Sequence, residues 1–220
     1  MLQSVRFPLA CLGAILLVRC ALDERSLQSP PVSELGRGQG ASSGTGGDAE
    51  SGAPNGGADG RIRWSFDEDA EGFQPENGIA QTWSDKDGHD DSHSGSLLLA
   101  ALTTSDSRDF WTAGASTCTP IEARTDYVLT VETYIESGQG EGVGGLSIEI
   151  YNAPDCQGLL LDLRNYSNGS TGVWVIAKTR LPTPAKAVSA RVRPVVSKLL
   201  RDPAFRVRFD NILLDPTPDG

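Results

Sequence analysis

Between Tyr127 and Tyr151 apolar and polar positions alternate with a period of two. In Tyr127-Val-Leu-Thr-Val-Glu-Thr-Tyr-Ile135, Leu129, Val131 and Ile135 fall on one face. In Leu146-Ser-Ile-Glu-Ile-Tyr151, Leu146, Ile148 and Ile150 do the same. That period belongs to half-buried β-strands. The connection 136–145 is too rich in glycine for a helix, so the two runs are expected to pair antiparallel.

The same period recurs through the C-terminal part of the chain. Candidate strands are 62–66, 96–102, 110–112, 116–121, 127–135, 146–151, 159–163, 173–179, 187–196 and 205–214. Val188, Ala190 and Val192 oppose Ser189, Arg191 and Arg193; Phe205, Val207 and Phe209 oppose Arg206, Arg208 and Asp210. Trp174 and Ile176 share a face, and Trp174 is read as core because tryptophan buries a large area. Asn165-Tyr-Ser and Asn168-Gly-Ser, both glycosylation sequons, read as an exposed turn. Many short strands with turn signals between them, and no long helical period, indicate an all-β chain folded as a jelly-roll β-sandwich. A signal peptide and a disordered linker are expected to precede it.

The front of the chain has a different pattern. Arg6 precedes an apolar run, Phe7 to Val18, which is too short to span a bilayer and reads as an export signal. Leu17-Val-Arg-Cys20 resembles the bacterial lipobox, with Arg19 where that motif has a small residue. The resemblance implies lipidation at Cys20 and a mature chain that starts there. No aspartate follows Cys20, which implies the outer membrane or cell surface rather than the inner membrane. Release as a soluble secreted protein is the alternative. From about Leu27 to Asp59 the chain is mostly Gly, Ser, Pro and Ala, with too few large apolar groups to fold. Such a tether reaches roughly 30 Å. The expected organisation is residues 1–19 as signal, 20–60 as lipidated N-terminus and linker, and 61–220 as the sandwich domain.

Composition narrows the chemistry. The 220 residues carry a formal charge of −10, which argues against nucleic acid as a partner. Beyond the proposed lipid site, Cys118 and Cys156 form the pair expected to be a disulfide in an exported protein. Asp85-Lys-Asp-Gly-His-Asp-Asp-Ser-His93 lacks the spacing of a calcium-binding EF-hand and reads as a solvated loop. Glu132 and Glu149 could be imagined as a glycosidase pair, but arginine partners or solvent suit them better. No hydrolase or phosphate-binding motif is present in the sequence, and the chain is not expected to be an enzyme.

Trp64-Ser-Phe-Asp-Glu-Asp, Gly72-Phe73 and His93-Ser-Gly-Ser-Leu-Leu-Leu99 resemble the opening of carbohydrate-binding modules with the galactose-binding-like jelly-roll fold. Tyr127-Val-Leu-Thr-Val, Val173-Trp174 and Val207-Arg-Phe-Asp-Asn-Ile-Leu-Leu214 follow in the same order. The resemblance implies a polysaccharide or other glycan as ligand. It also implies a structural calcium held by Asp67 and Asp210 with backbone oxygens near Ser65 and Ser94. If 127–135 and 146–151 are neighbours, Glu132, Tyr134, Glu149 and Tyr151 share one patch, with rings to stack on sugars and carboxylates to accept from hydroxyls. Trp83 and Trp111 are rival stacking residues. The competing function is a structural or protein-interaction lipoprotein that binds no sugar.

Overall fold

The computed structural model describes residues 60–88 and 94–217, with the backbone of 55–56. The expected signal, Cys20, most of the linker, and His89 and His93 therefore lie outside the described residues. Among the described residues twelve strands form: β1 (Asn55–Gly56), β2 (Ile62–Trp64), β3 (Gln74–Pro75), β4 (Ile79–Ser84), β5 (Ser96–Ala101), β6 (Phe110–Pro120), β7 (Asp126–Ile135), β8 (Gly142–Tyr151), β9 (Leu160–Asn168), β10 (Trp174–Pro182), β11 (Ser189–Leu199) and β12 (Phe205–Pro216). They make two antiparallel sheets that face each other as a sandwich, in agreement with the all-β expectation.

Seven strands form the first sheet, and β12 is its spine. One edge of β12 pairs with β7, which in turn pairs with β10. The other edge is shared. Phe205–Phe209 pair with β5, and Ile212–Leu214 pair with β2. A register shift between Asp210 and Leu213 marks the division, and Asn211 there has φ +46°. Asparagine tolerates that left-handed conformation better than most residues. The second sheet has the order β3-β6-β11-β8-β9.

The core collects the inward faces that the alternation marks. Leu129, Val131 and Ile135 are buried from one side, and Leu146, Ile148 and Ile150 from the other. Trp64, Phe66 and Phe73 close one end of it, with ring centroids 5.8 and 5.7 Å apart along the pair contacts. Cys118 and Cys156 are joined as a disulfide.

Several expectations need correction. β7 and β8 are not hydrogen-bonded partners: β7 belongs to the first sheet and β8 to the second. Their apolar faces meet through the core instead of lying side by side. The glycine-rich connection crosses between the sheets. It is clipped by Gln139, whose side-chain amide exchanges two hydrogen bonds with the backbone of Arg206, at 2.6 and 2.8 Å. Trp174 is not core. It stands opposite Tyr134 in the β7–β10 ladder, and so shares that residue's outward face. The Asn165 sequon lies within β9; the Asn168 sequon starts at the last residue of β9 and leaves the strand at Gly169, and Asn168 is buried with its amide donating to Thr133 Oγ1.

Candidate functional site

The six residues expected to contact a ligand do not converge. Glu132, which is buried, and Tyr134 lie on the outer face of the first sheet, and Glu149 and Tyr151 on the outer face of the second. The single patch required β7 and β8 to be neighbours, and the sandwich separates them. For the same reason Glu132 and Glu149 cannot flank one glycosidic bond: packed sheets alone stand roughly 10 Å apart.

On the first sheet, Tyr134 leans on Trp174, with centroids 5.4 Å apart and planes at 43°. Lys86 Nζ lies 3.8 Å from the Tyr134 centroid, and the Arg208 guanidinium 5.9 Å from it. Arg208 also donates to Glu136 Oε1 at 2.6 Å. The ring is thus engaged by neighbours on this sheet, through cation–π and aromatic contacts. Beside it runs an open groove of about 520 Å³ lined by Arg63, Asp67, Ser94, Thr130, Glu132 and Lys178 among others.

Asp67 and Asp210 occupy different depths. Asp67 is exposed, lines the groove, and accepts from Ser65 Oγ at 2.8 Å. Asp210 is fully buried, opposite Glu132 in the β12–β7 register. Its oxygens accept from the amides of Gly88 at 3.3 Å and Asn211 at 2.7 Å. Burial pushes its carboxyl up to about 6, and the charges of Glu132 and Asp87 act in the same direction. The loop 85–88 is therefore not wholly solvated: Asp87 is buried and Gly88 covers Asp210. Carboxylate and carbonyl oxygens are the donors calcium takes. Among the described residues no three His, Cys, Asp or Glu side chains gather as a ligand set, so a cation here would lean on backbone oxygens.

The second sheet presents a more ordered surface. Tyr151 donates its hydroxyl to Glu149 in a short hydrogen bond. Arg191 donates to Glu149 Oε2 at 3.0 Å and to the Tyr151 oxygen at 3.1 Å. Burial, then the bond to Glu149, raises the Tyr151 phenol above its usual range. One row along β11, Arg193 grips both carboxylate oxygens of Glu76, one of them at 2.6 Å. That grip, reinforced by the Gly114 amide, holds the Glu76 carboxyl below its usual range despite partial burial. Beyond Arg193 the ladder places Val195 between Gly114 and Gly145. Both glycines are buried, and a side chain at either would run into neighbouring backbone, so they serve the close packing of this sheet beside the arginine–glutamate pairs.

Glu76, Arg191 and Arg193 were not among the expected ligand contacts. Both arginines were legible as outward residues of β11, but Glu76 follows a two-residue strand with no period to mark its face. The two tryptophans sit in strands. Trp83 on β4 donates Nε1 to the Phe66 carbonyl at 2.7 Å and remains 41% exposed. Trp111 on β6 packs against the edge of the core.

No protein-family model and no curated protein matches the chain. Solved structures do. The CBM22-1–GH10 modules of Clostridium thermocellum endo-1,4-β-D-xylanase 10B, complexed with xylohexaose, align with a TM-score of 0.51 at 12% identity, over 71% of this chain and 28% of that one. This chain thus spans little more than a quarter of the xylanase chain's length. The C-terminal family 22 carbohydrate-binding module of the same enzyme aligns with a TM-score of 0.48 at 14% identity, covering 72% of this chain and 96% of that one. The CBM22-1 xylan-binding domain of Paenibacillus barcinonensis Xyn10C gives 0.48 at 13% identity, with 71% and 95% covered. At these identities the likeness is one of fold.

Proposed function

We propose that this domain is a non-catalytic carbohydrate-binding module whose ligand lies across the outer face of the second sheet. The observation that carries the reading is the row of two arginine–glutamate pairs on this face, with the Tyr151 hydroxyl bonded into one of them. Sugar hydroxyls need donors and acceptors held in place, and each planar guanidinium here is oriented by a carboxylate. Tyr151 supplies a ring at one end of the face. The charges are balanced in pairs, which suits a neutral polysaccharide. The fold likeness to part of the xylanase CBM22-1–GH10 modules complexed with xylohexaose supports the same class of ligand. Tyr134 and Trp174 are the lesser candidates, because Lys86 lies 3.8 Å over the Tyr134 ring, closer than Arg191 at 5.3 Å from that of Tyr151. A glycan array probed with the purified chain tests the proposal. Capture of one or more polysaccharides is expected, and silence across the array would favour a structural or protein-interaction role.

In the same reading Cys20 carries lipid, residues 20–60 act as a tether, and the domain is displayed at the outer membrane or cell surface. The apolar run ending at Leu17-Val-Arg-Cys20 supports this. Metabolic palmitate labelling should mark the wild type and not Cys20→Ala; equal labelling of both rules out that anchor. Calcium completes the reading, with Asp67 and Asp210 contributing oxygens. The raised, buried carboxyl of Asp210 beside Glu132 and Asp87 supports it, since a cation would offset that concentration of negative charge.

A further inference from the structure

β9 is an edge strand with an apolar flank. Among the described residues it pairs with β8 only, along its whole length. Leu159, Leu160 and Leu163 are 65, 45 and 46% exposed at and beside its start. The neighbouring edge strand of the other sheet, β10, adds exposed Ile176, with Val173 just before it. Exposed strand edges template pairing with another chain, and proteins usually guard them with charges that repel a second edge. β9 carries charges, but of opposite sign. Asp162 and Arg164 flank Leu163 and pair with each other at 2.9 Å.

That arrangement is self-complementary. An antiparallel pairing of β9 with β9 of a second copy, centred on Leu163, sets Leu163 against its own equivalent. It also sets Asp162 opposite Arg164 of the copy, and Arg164 opposite Asp162, so both cross-strand charge pairs are attractive. Opposite charges directly across a ladder stabilise it and like charges destabilise it. The two-fold relation is the one that closed dimers use, with the same patch on both copies. The Leu163 amide already bonds outside the β8 ladder, to Asp162 Oδ1 at 2.9 Å. In the pair a carbonyl of the copy would take that place, and Asp162 would be released to Arg164 of the copy. We infer that the chain forms a homodimer through antiparallel β9–β9 pairing about Leu163, which joins the two second sheets into one continuous sheet. This inference does not depend on the carbohydrate-binding reading.

Sedimentation equilibrium of the full-length chain tests it, with charge reversal as the probe. The wild type should show a concentration-dependent monomer–dimer equilibrium. Asp162→Arg and Arg164→Asp, each alone, put like charges opposite one another twice and should weaken the dimer about tenfold. The double reversal Asp162→Arg with Arg164→Asp restores both attractions and should return the dimer to near its original affinity, which also shows that the exchanged residues do not prevent folding. A wild type that stays monomeric at every concentration overturns the inference. So does a dimer that survives either single reversal unchanged, or one that the double reversal fails to restore.

Discussion

Asp210 illustrates what a single residue can hide. Alternation along β12 places it on the polar face with Arg206 and Arg208, and that much was legible. Its burial was not, because the cover comes from Gly88, far away in sequence. The consequence is a pH dependence whose sign follows from the shift. A carboxyl raised from its ordinary value of 3.8 to about 6 in the folded state binds its proton more tightly there than when unfolded. Its contribution to stability is complete below about pH 4 and is lost as pH rises through about 6. At 1.36 kcal/mol per unit this amounts to about 3 kcal/mol at most. Thermal melts from pH 4 to 7 in chelator should show this loss, and Asp210→Asn should flatten it. If calcium binds, it should raise the wild-type melting temperature at pH 7 and leave Asp210→Asn unmoved. A wild type indifferent to both calcium and chelator removes the metal from the account.

Strands were legible where their period was long. β7, β11 and β12 appear in the sequence almost to their ends, because their alternation runs long with one side in the core, broken in β12 only at the register shift after Asp210. β4 was missed: Ile79-Ala-Gln-Thr-Trp-Ser84 has one apolar residue firmly buried and the rest half-open at the sheet margin. The gap between candidates 110–112 and 116–121 closed into β6, because Ala113, Gly114 and Ala115 carry too little side chain to reveal a face, although all three are buried. Pairing was illegible for a different reason. Alternation says which residues point inward, and two strands with matching inward faces satisfy it equally well side by side or across a core. The disulfide, by contrast, needed only the cysteine count and an exported context. It ties β6 to the turn after β8, where Ser189 Oγ accepts from the Cys156 amide at 3.1 Å and donates to the Ala153 carbonyl at 2.6 Å. The closed loop should contribute about 3–4 kcal/mol through the unfolded state. Urea denaturation of the Cys118→Ala/Cys156→Ala variant should show a loss of that order, and an unchanged midpoint would mean the bridge adds nothing to stability.

At the scale of the whole molecule, the sandwich gives two outer faces with different characters. The first carries a groove and a tyrosine already engaged by Lys86, Arg208 and Trp174. The second carries arginines paired with glutamates beside a tyrosine. The composition of both faces could be read from alternation, but their separation came only with the topology, and that separation turned one expected patch into two rival ones. The direct discriminator is isothermal titration of the purified chain with the glycan captured best, comparing wild type with Tyr151→Ala, Arg193→Ala and Tyr134→Ala, each checked for fold by circular dichroism. The account predicts that Tyr151→Ala and Arg193→Ala each weaken binding about tenfold or more, that Tyr134→Ala binds as the wild type does, and that added salt changes little. Loss of binding in Tyr134→Ala with full binding in Tyr151→Ala and Arg193→Ala would contradict it and move the ligand to the first sheet.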